Sequence, residues 1–241
     1  MSGNCLFNQK TTQPKASRNT PRKPAQARGQ ERRDAILDAA AALVAEKGIA
    51  GMTMHTLAAR AQTSIGSLYH FFRDREEVVD ALFERHATAI RKINEQICST
   101  ADTVWSGLTP DEAIDRLVVP YVDYLGQHDD YLPVMHQRAL LFKEKEFIRP
   151  LQHLLRARLP QCDASERESY AMMLHLIAAG TMHAGLQFSA KHVNLYIREI
   201  PRALAAYLTD LENRFAVEHA EQQKRPTASS DQKKVNRATA I

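Results

Sequence analysis

Residues Thr53 to Arg75 read TMHTLAARAQTSIGSLYHFFRDR, and this run decides the fold. Thr53 stands where a helix N-cap belongs, ahead of a short apolar-periodic segment through Leu57, Ala58 and Ala61. A break at Gln62–Thr63 leads into a second short helix, from Ser64 to about Phe72. On that second helix Ser64, Ser67 and His70 recur every third residue and share one side, while Leu68, Phe71 and Phe72 form the opposite, inward surface. Two short helices joined by a tight turn, the second polar on one face and apolar on the other, make a helix-turn-helix.

The pattern extends outward from this core. Upstream, Ile36, Leu37, Ala40, Leu43 and Val44 fall at helical spacing, and Gly48 stands where a left-handed C-cap is needed. Downstream, Asp74 is placed to cap a long amphipathic helix containing Val78, Val79, Leu82 and Phe83. Thr109-Pro110-Asp111-Glu112 combines an N-cap, a first-turn proline and two acids facing the helix dipole, and predicts another helix there, which Pro120 is expected to kink. Further helices are expected over 130–142, 144–159, 165–190 and 195–217, with Pro160 and 189–194 as breaks. No segment alternates like a strand. The expected fold is all-α: a basic disordered arm (1–28), a helix-turn-helix domain (29–75), a larger helical domain for effector binding and dimerisation (76–218), and a disordered tail (219–241).

Charge is unevenly spread over the 241 residues. The formal net charge is +4, with six basic and no acidic residues in 1–30 and a balance of +3 in 219–241, so 31–218 carries −5. The basic arm either adds phosphate contacts or only keeps a tail solvated. Residues 28–85 hold eight Lys/Arg against nine acids, so DNA binding would depend on local placement of Arg28, Arg32, Arg33, Arg73 and Arg75 rather than on net field. The 3 cysteines are far apart and form no CxxC pair, which indicates neither a zinc site nor a disulfide framework. His175 and His183 alone do not make a metal site. Neither a secretory core nor a membrane span is visible, so a cytoplasmic location is expected. No nucleophile–base set, phosphate loop or metal spacing appears; an enzyme is not expected, and no cofactor.

The segment from Arg32 to Leu82 resembles the TetR/AcrR family of bacterial regulators. The match runs through Ala35-Ile36-Leu37-Asp38-Ala39-Ala40, Leu43, Glu46-Lys47-Gly48, Thr53, Leu57-Ala58, Ala61, the run Ser64 to Phe72, and Arg75-Glu76-Glu77. The chain departs at Gln62-Thr63, where the family usually has Gly-Val, and at Phe71, where a histidine is frequent. By position the resemblance implies DNA contacts from Thr53, Ser64, Ile65, Gly66, Ser67, Tyr69, His70 and Arg75. Thr53, Tyr69 and Arg75 are expected on phosphates, and Ser67, His70 and Ile65 on base edges. Gly66, lacking a side chain, would allow close approach. Tyr69 as a core aromatic and His70 as a plain surface histidine are the alternatives.

The resemblance also implies a homodimer that binds a double-stranded DNA operator and answers to a small effector. The segment 165–190 is apolar around most of its circumference, so it must be buried on more than one side. It and the stripe Ile197, Ile200, Leu204, Leu208, Leu211 and Phe215 are expected to supply the dimer interface, with Ile177, Gly180, Ala184, Leu204, Leu208 and Leu211 as contacts. Ordinary monomer core is the competing reading. A largely apolar effector pocket is expected among Tyr121, Tyr124, Met135, Phe142, Phe147, Met172 and His175. The expected function is a dimeric repressor released by that effector; the second reading is a regulator or activator of the same architecture that senses no small molecule.

Overall fold

The structure, a computed structural model, describes residues 25–138, 144–182 and 192–224, and every element among them is helical. The first is α1 (Ala25–Gly51), interrupted at Gly48, whose φ of 69° and ψ of 171° are not helical. Glycine does stand where the chain needs positive φ, as expected, but the conformation is the extended one that is essentially restricted to glycine rather than the left-handed helical one. Next come α2 (Met54–Arg60) and α3 (Ile65–Phe71). Thr53 and Thr56 form a reciprocal capping box on α2, and the Ser64 side chain caps α3 by accepting from the Ser67 amide. The long α4 (Arg75–Cys98) starts from Asp74, whose carboxylate accepts from the Glu77 amide.

The larger domain continues with α5 (Asp102–Gly107), α6 (Pro110–Gln127) and α7 (Tyr131–Gln137). It ends with α8 (Glu144–Arg158), α9 (Ala164–His175) and α10 (Val193–Lys224). A π-helical turn, Leu176–Gly180, prolongs α9. The capping box expected at Thr109 and Glu112 is present, and α6 runs on through Pro120.

Two apolar cores organise these elements. The first gathers Ile36, Leu37, Leu43 and Val44 of α1, Leu57 of α2, Leu68 of α3, and Val78, Val79 and Leu82 of α4. Val134 of α7 is buried in the same cluster, so the larger domain plugs a side chain into the helix-turn-helix core. The second core is built from Trp105 of α5, Ile114 and Leu117 of α6, Leu154 and Leu155 of α8, Leu174 of α9, and Leu204, Leu208 and Leu211 of α10. Each such fully buried side chain contributes about 1.5–3 kcal/mol of transfer free energy. Arg158 ties this core together. Buried near the end of α8, it pairs with Glu212 of α10 and donates to the carbonyls of Trp105 (2.6 Å) and Leu108 (2.7 Å).

Several expectations change. Residues 25–28, expected in the arm, belong to α1, and residues 219–224, expected in the tail, belong to α10. Residues 1–24 and 225–241 lie outside the described set. The helix expected over 130–142 ends at Gln137, and α5 was not anticipated. The largest correction concerns Leu204, Leu208 and Leu211, which are 1%, 0% and 0% exposed within a single chain. Helix α10 turns this stripe onto its own α6, with which it packs closely, leaving those leucines no surface for a second copy.

Candidate nucleic-acid interface

The helix-turn-helix is set by its turn. Gln62 adopts a φ of 49°, the left-handed conformation expected where the family usually has glycine, at a cost of about 1 kcal/mol. The Gln62 and Thr63 amides donate back to Ala59 and Ala58 at 3.2 and 3.0 Å, closing the end of α2. Arg32 of α1 donates to the Gln62 carbonyl at 3.4 Å. These bonds fix the angle at which α3 leaves α2.

Along α3 the expected two-sided pattern is present. Leu68 is fully buried and Phe72 nearly so, whereas Ser64, Gly66, Tyr69 and His70 are exposed. Tyr69 is 50% exposed, so the core-aromatic alternative does not hold. A Cβ placed on Gly66 would meet nothing within 4 Å, so this turn of the helix faces open space. Ser67 is half-buried, and Ile65 is half-buried against the DNA-binding core, so much of its side chain is spent on packing. Thr53 is exposed at the start of α2 beside His55, an exposed residue in its first turn that sequence reasoning passed over. The eight expected residues lie at the start of α2, on α3 with its cap and at the start of α4.

The acids nearby are occupied. Glu77 accepts from the Arg73 amide at 2.7 Å and from the Arg73 side chain at 3.2 Å, and these bonds hold its carboxyl below the usual range. Glu76 accepts from Arg138 of the larger domain at 2.7 Å and from Arg75 at 3.1 Å, and the Arg138 bond is the main cause of its lowered pKa. Arg138 also reaches Asp80 at 2.8 Å. No sequence signal pointed to Arg138, which lies 62 residues from Glu76.

Among the described residues, expected effector residues are divided between the two cores. Met135 packs against the DNA-binding core, whereas Tyr121 and Met172 pack against the core of the larger domain. The Tyr121 hydroxyl donates to Asn94 at 2.6 Å. Tyr124 belongs to a polar cluster around the fully buried His86. There Nε2–H of His86 donates to Asp130 at 3.0 Å, leaving Nδ1 for the Tyr124 hydroxyl at 2.7 Å, while His128 stacks on the Tyr124 ring. Tyr124 and His128 also edge an open groove between α1 and α4. His175 is half-buried at the end of α9. Phe142 and the side chain of Phe147 lie outside the described residues, as does Ala184 of the expected interface. Among the described residues no group of His, Cys, Asp and Glu is arranged to hold a metal ion, and no helix is long and apolar enough to cross a membrane.

Comparison with known proteins agrees with this geometry. Residues 36–82 match the family of bacterial regulatory proteins known as the tetR family, and residues 109–208 match the tetracyclin repressor-like C-terminal domain. Over 91 residues the chain is 32% identical to the HTH-type transcriptional repressor KstR2 of Mycolicibacterium smegmatis, a match covering 38% of this chain and 42% of that protein. Solved structures share the fold. A TetR-family regulator from Pectobacterium atrosepticum superposes with a TM-score of 0.54 at 20% identity, covering 77% of this chain and 96% of that one. SmeT, the repressor of the Stenotrophomonas maltophilia efflux pump SmeDEF, gives 0.55 at 20% identity, covering 74% and 89%. With both of its domains matched over more than half its length and a helix-turn-helix built as described, the chain belongs to the TetR family of DNA-binding transcriptional regulators.

Proposed function

We propose that the protein is a homodimeric repressor that reads its operator with α3 and releases it when a small effector binds the larger domain. The exposed face of α3 carries this reading: Ser67 and His70 address base edges, and Thr53, Tyr69 and Arg75 fix the helix on the phosphates. The repressor sense is supported by the 32% identity to the repressor KstR2 over 91 residues.

Dimerisation is supported by apolar surface that the chain leaves uncovered near its C-terminal helices. Met173 and Leu176 are 47% and 54% exposed, and Val217 of α10 is 58% exposed. Ile177 is half-buried and Gly180 exposed beside them. Exposed apolar side chains on neighbouring helices offer surface that a second copy can cover. The interface proposed here therefore keeps Ile177 and Gly180, adds Met173, Leu176 and Val217, and omits the three core leucines.

The test is a mobility shift with the DNA flanking the protein's own coding sequence, read beside sedimentation of the free protein. A dimer that retards this DNA at low salt supports the reading. A monomer, or failure to retard the DNA, overturns it.

A further inference from the structure

We propose that a recess at the far end of α4 from the DNA-binding face binds the acidic group, carboxylate or phosphate, of a small organic molecule. The recess has a volume of about 480 Å³ and lies where the end of α4 meets α8 and the start of α9. That volume is within the range of small-molecule sites. Its walls carry Arg149, Gln152, His153 and Arg156 from α8, and Arg167 and Glu168 from α9. Three guanidiniums from two helices thus line one hollow, with Glu168 on its wall and Asp102 paired to Arg156.

Two of these arginines are held in place, while Arg149 is exposed. His153 donates from Nε2 to the Thr100 carbonyl at 2.7 Å, which leaves Nδ1 to accept from Arg156 at 2.9 Å. The same Arg156 nitrogen reaches Asp102 at 3.1 Å. Arg167 donates from one terminal nitrogen to the carbonyls of Leu159 and Cys162, at 3.2 and 2.6 Å. Its remaining N–H groups make no ion pair among the described residues, and neither does Arg149. A planar guanidinium fork suits a bidentate oxyanion, and several forks around one hollow suit it better than an ammonium or a neutral ligand. Cys98 also lines the recess, and burial pushes its thiol pKa up, so it adds no competing negative charge.

The site deepens the effector reading and rests on it for regulatory meaning, because the recess and Arg75 lie at opposite ends of one helix, α4. Binding itself is tested without DNA. The full chain is melted at constant ionic strength with about 10 mM inorganic phosphate, or with chloride alone. The wild type is expected to gain about 2–4 °C with phosphate. Arg149→Glu and the milder Arg149→Gln lose that gain, whereas Arg202→Glu, on the exposed side of α10, keeps it. Parallel melts with acetate and methyl phosphate decide which acidic group the recess prefers. No gain in the wild type, or a gain retained by both Arg149 variants, overturns the proposal. A gain that depends on Arg149 without any change in operator retention upholds the site and overturns the effector-release reading instead.

Discussion

Arg138, the residue that closes α7, donates to Glu76 at 2.7 Å, and the same carboxylate receives Arg75 at 3.1 Å. A cation of the larger domain and a cation expected on DNA thus share one anion. Both partners of the Arg138 pair are partly exposed, so screening keeps the effect modest and salt-dependent. Arg138→Ala leaves Glu76 to hold Arg75 alone and returns a negative charge to the DNA face. Operator affinity is expected to fall about three- to tenfold. Glu76→Gln frees Arg75 and should raise affinity. Fluorescence anisotropy at two salt concentrations checks both, and changes of the same sign would contradict the shared-carboxylate arrangement.

Gly48 interrupts α1 at φ 69°, ψ 171°. A Cβ there meets nothing within 4 Å, so the cost of adding one is conformational rather than steric. Gly48→Ala is expected to destabilise the protein by about 1–3 kcal/mol. Urea unfolding measures this, and an unchanged midpoint would rule out the strain.

Asp130 is buried and pairs with His86 at 3.0 Å. Burial alone would raise its pKa, but the hydrogen bond from His86 and the fields of His86 and Arg85 outweigh it and leave the value below the ordinary one. A carboxyl with a depressed folded pKa contributes stability above the unfolded value, near pH 4, and loses it as pH falls through the folded value. Asp130→Asn should therefore cost about 2 kcal/mol at neutral pH. The gap to wild type should narrow below about pH 4. Denaturant midpoints across that range test the sign; a gap that widens on acidification would refute it.

The α10 leucines and the exposed α9 face predict opposite behaviours. Leu208→Ala opens a cavity in the core of one chain and should cost about 2–5 kcal/mol. Leu176→Asp should leave each chain folded and shift the protein toward monomer. Sedimentation and thermal melting separate the two; dimer loss from Leu208→Ala without loss of stability would restore the leucines to the interface.

How much of this was legible in the sequence follows from the range of the forces involved. Caps are local, so Thr53, Asp74 and Thr109 announced their helices, and Gln62 announced a left-handed turn by its place in the motif. An apolar stripe is local too, but it does not say which chain covers it, which is why Leu204, Leu208 and Leu211 were read as interface when they are core. The six residues of α5 are too few to show periodicity, so the burial of Trp105 left no trace. His86–Asp130 and Arg138–Glu76 join residues 44 and 62 positions apart, and only the folded chain reveals them. Met and aromatic side chains look alike in sequence whether they fill a core or line a cavity, so an effector pocket is not legible from them.

The central claim is that α3 reads the operator through Ser67 and His70. Its most direct test is anisotropy titration of wild type and the Ser67→Ala/His70→Ala double variant on the operator and on a scrambled duplex. The account predicts an operator affinity lower by about ten- to a hundredfold, with binding to the scrambled duplex and its salt dependence unchanged. Equal losses on both duplexes, or full operator affinity in the double variant, would contradict it.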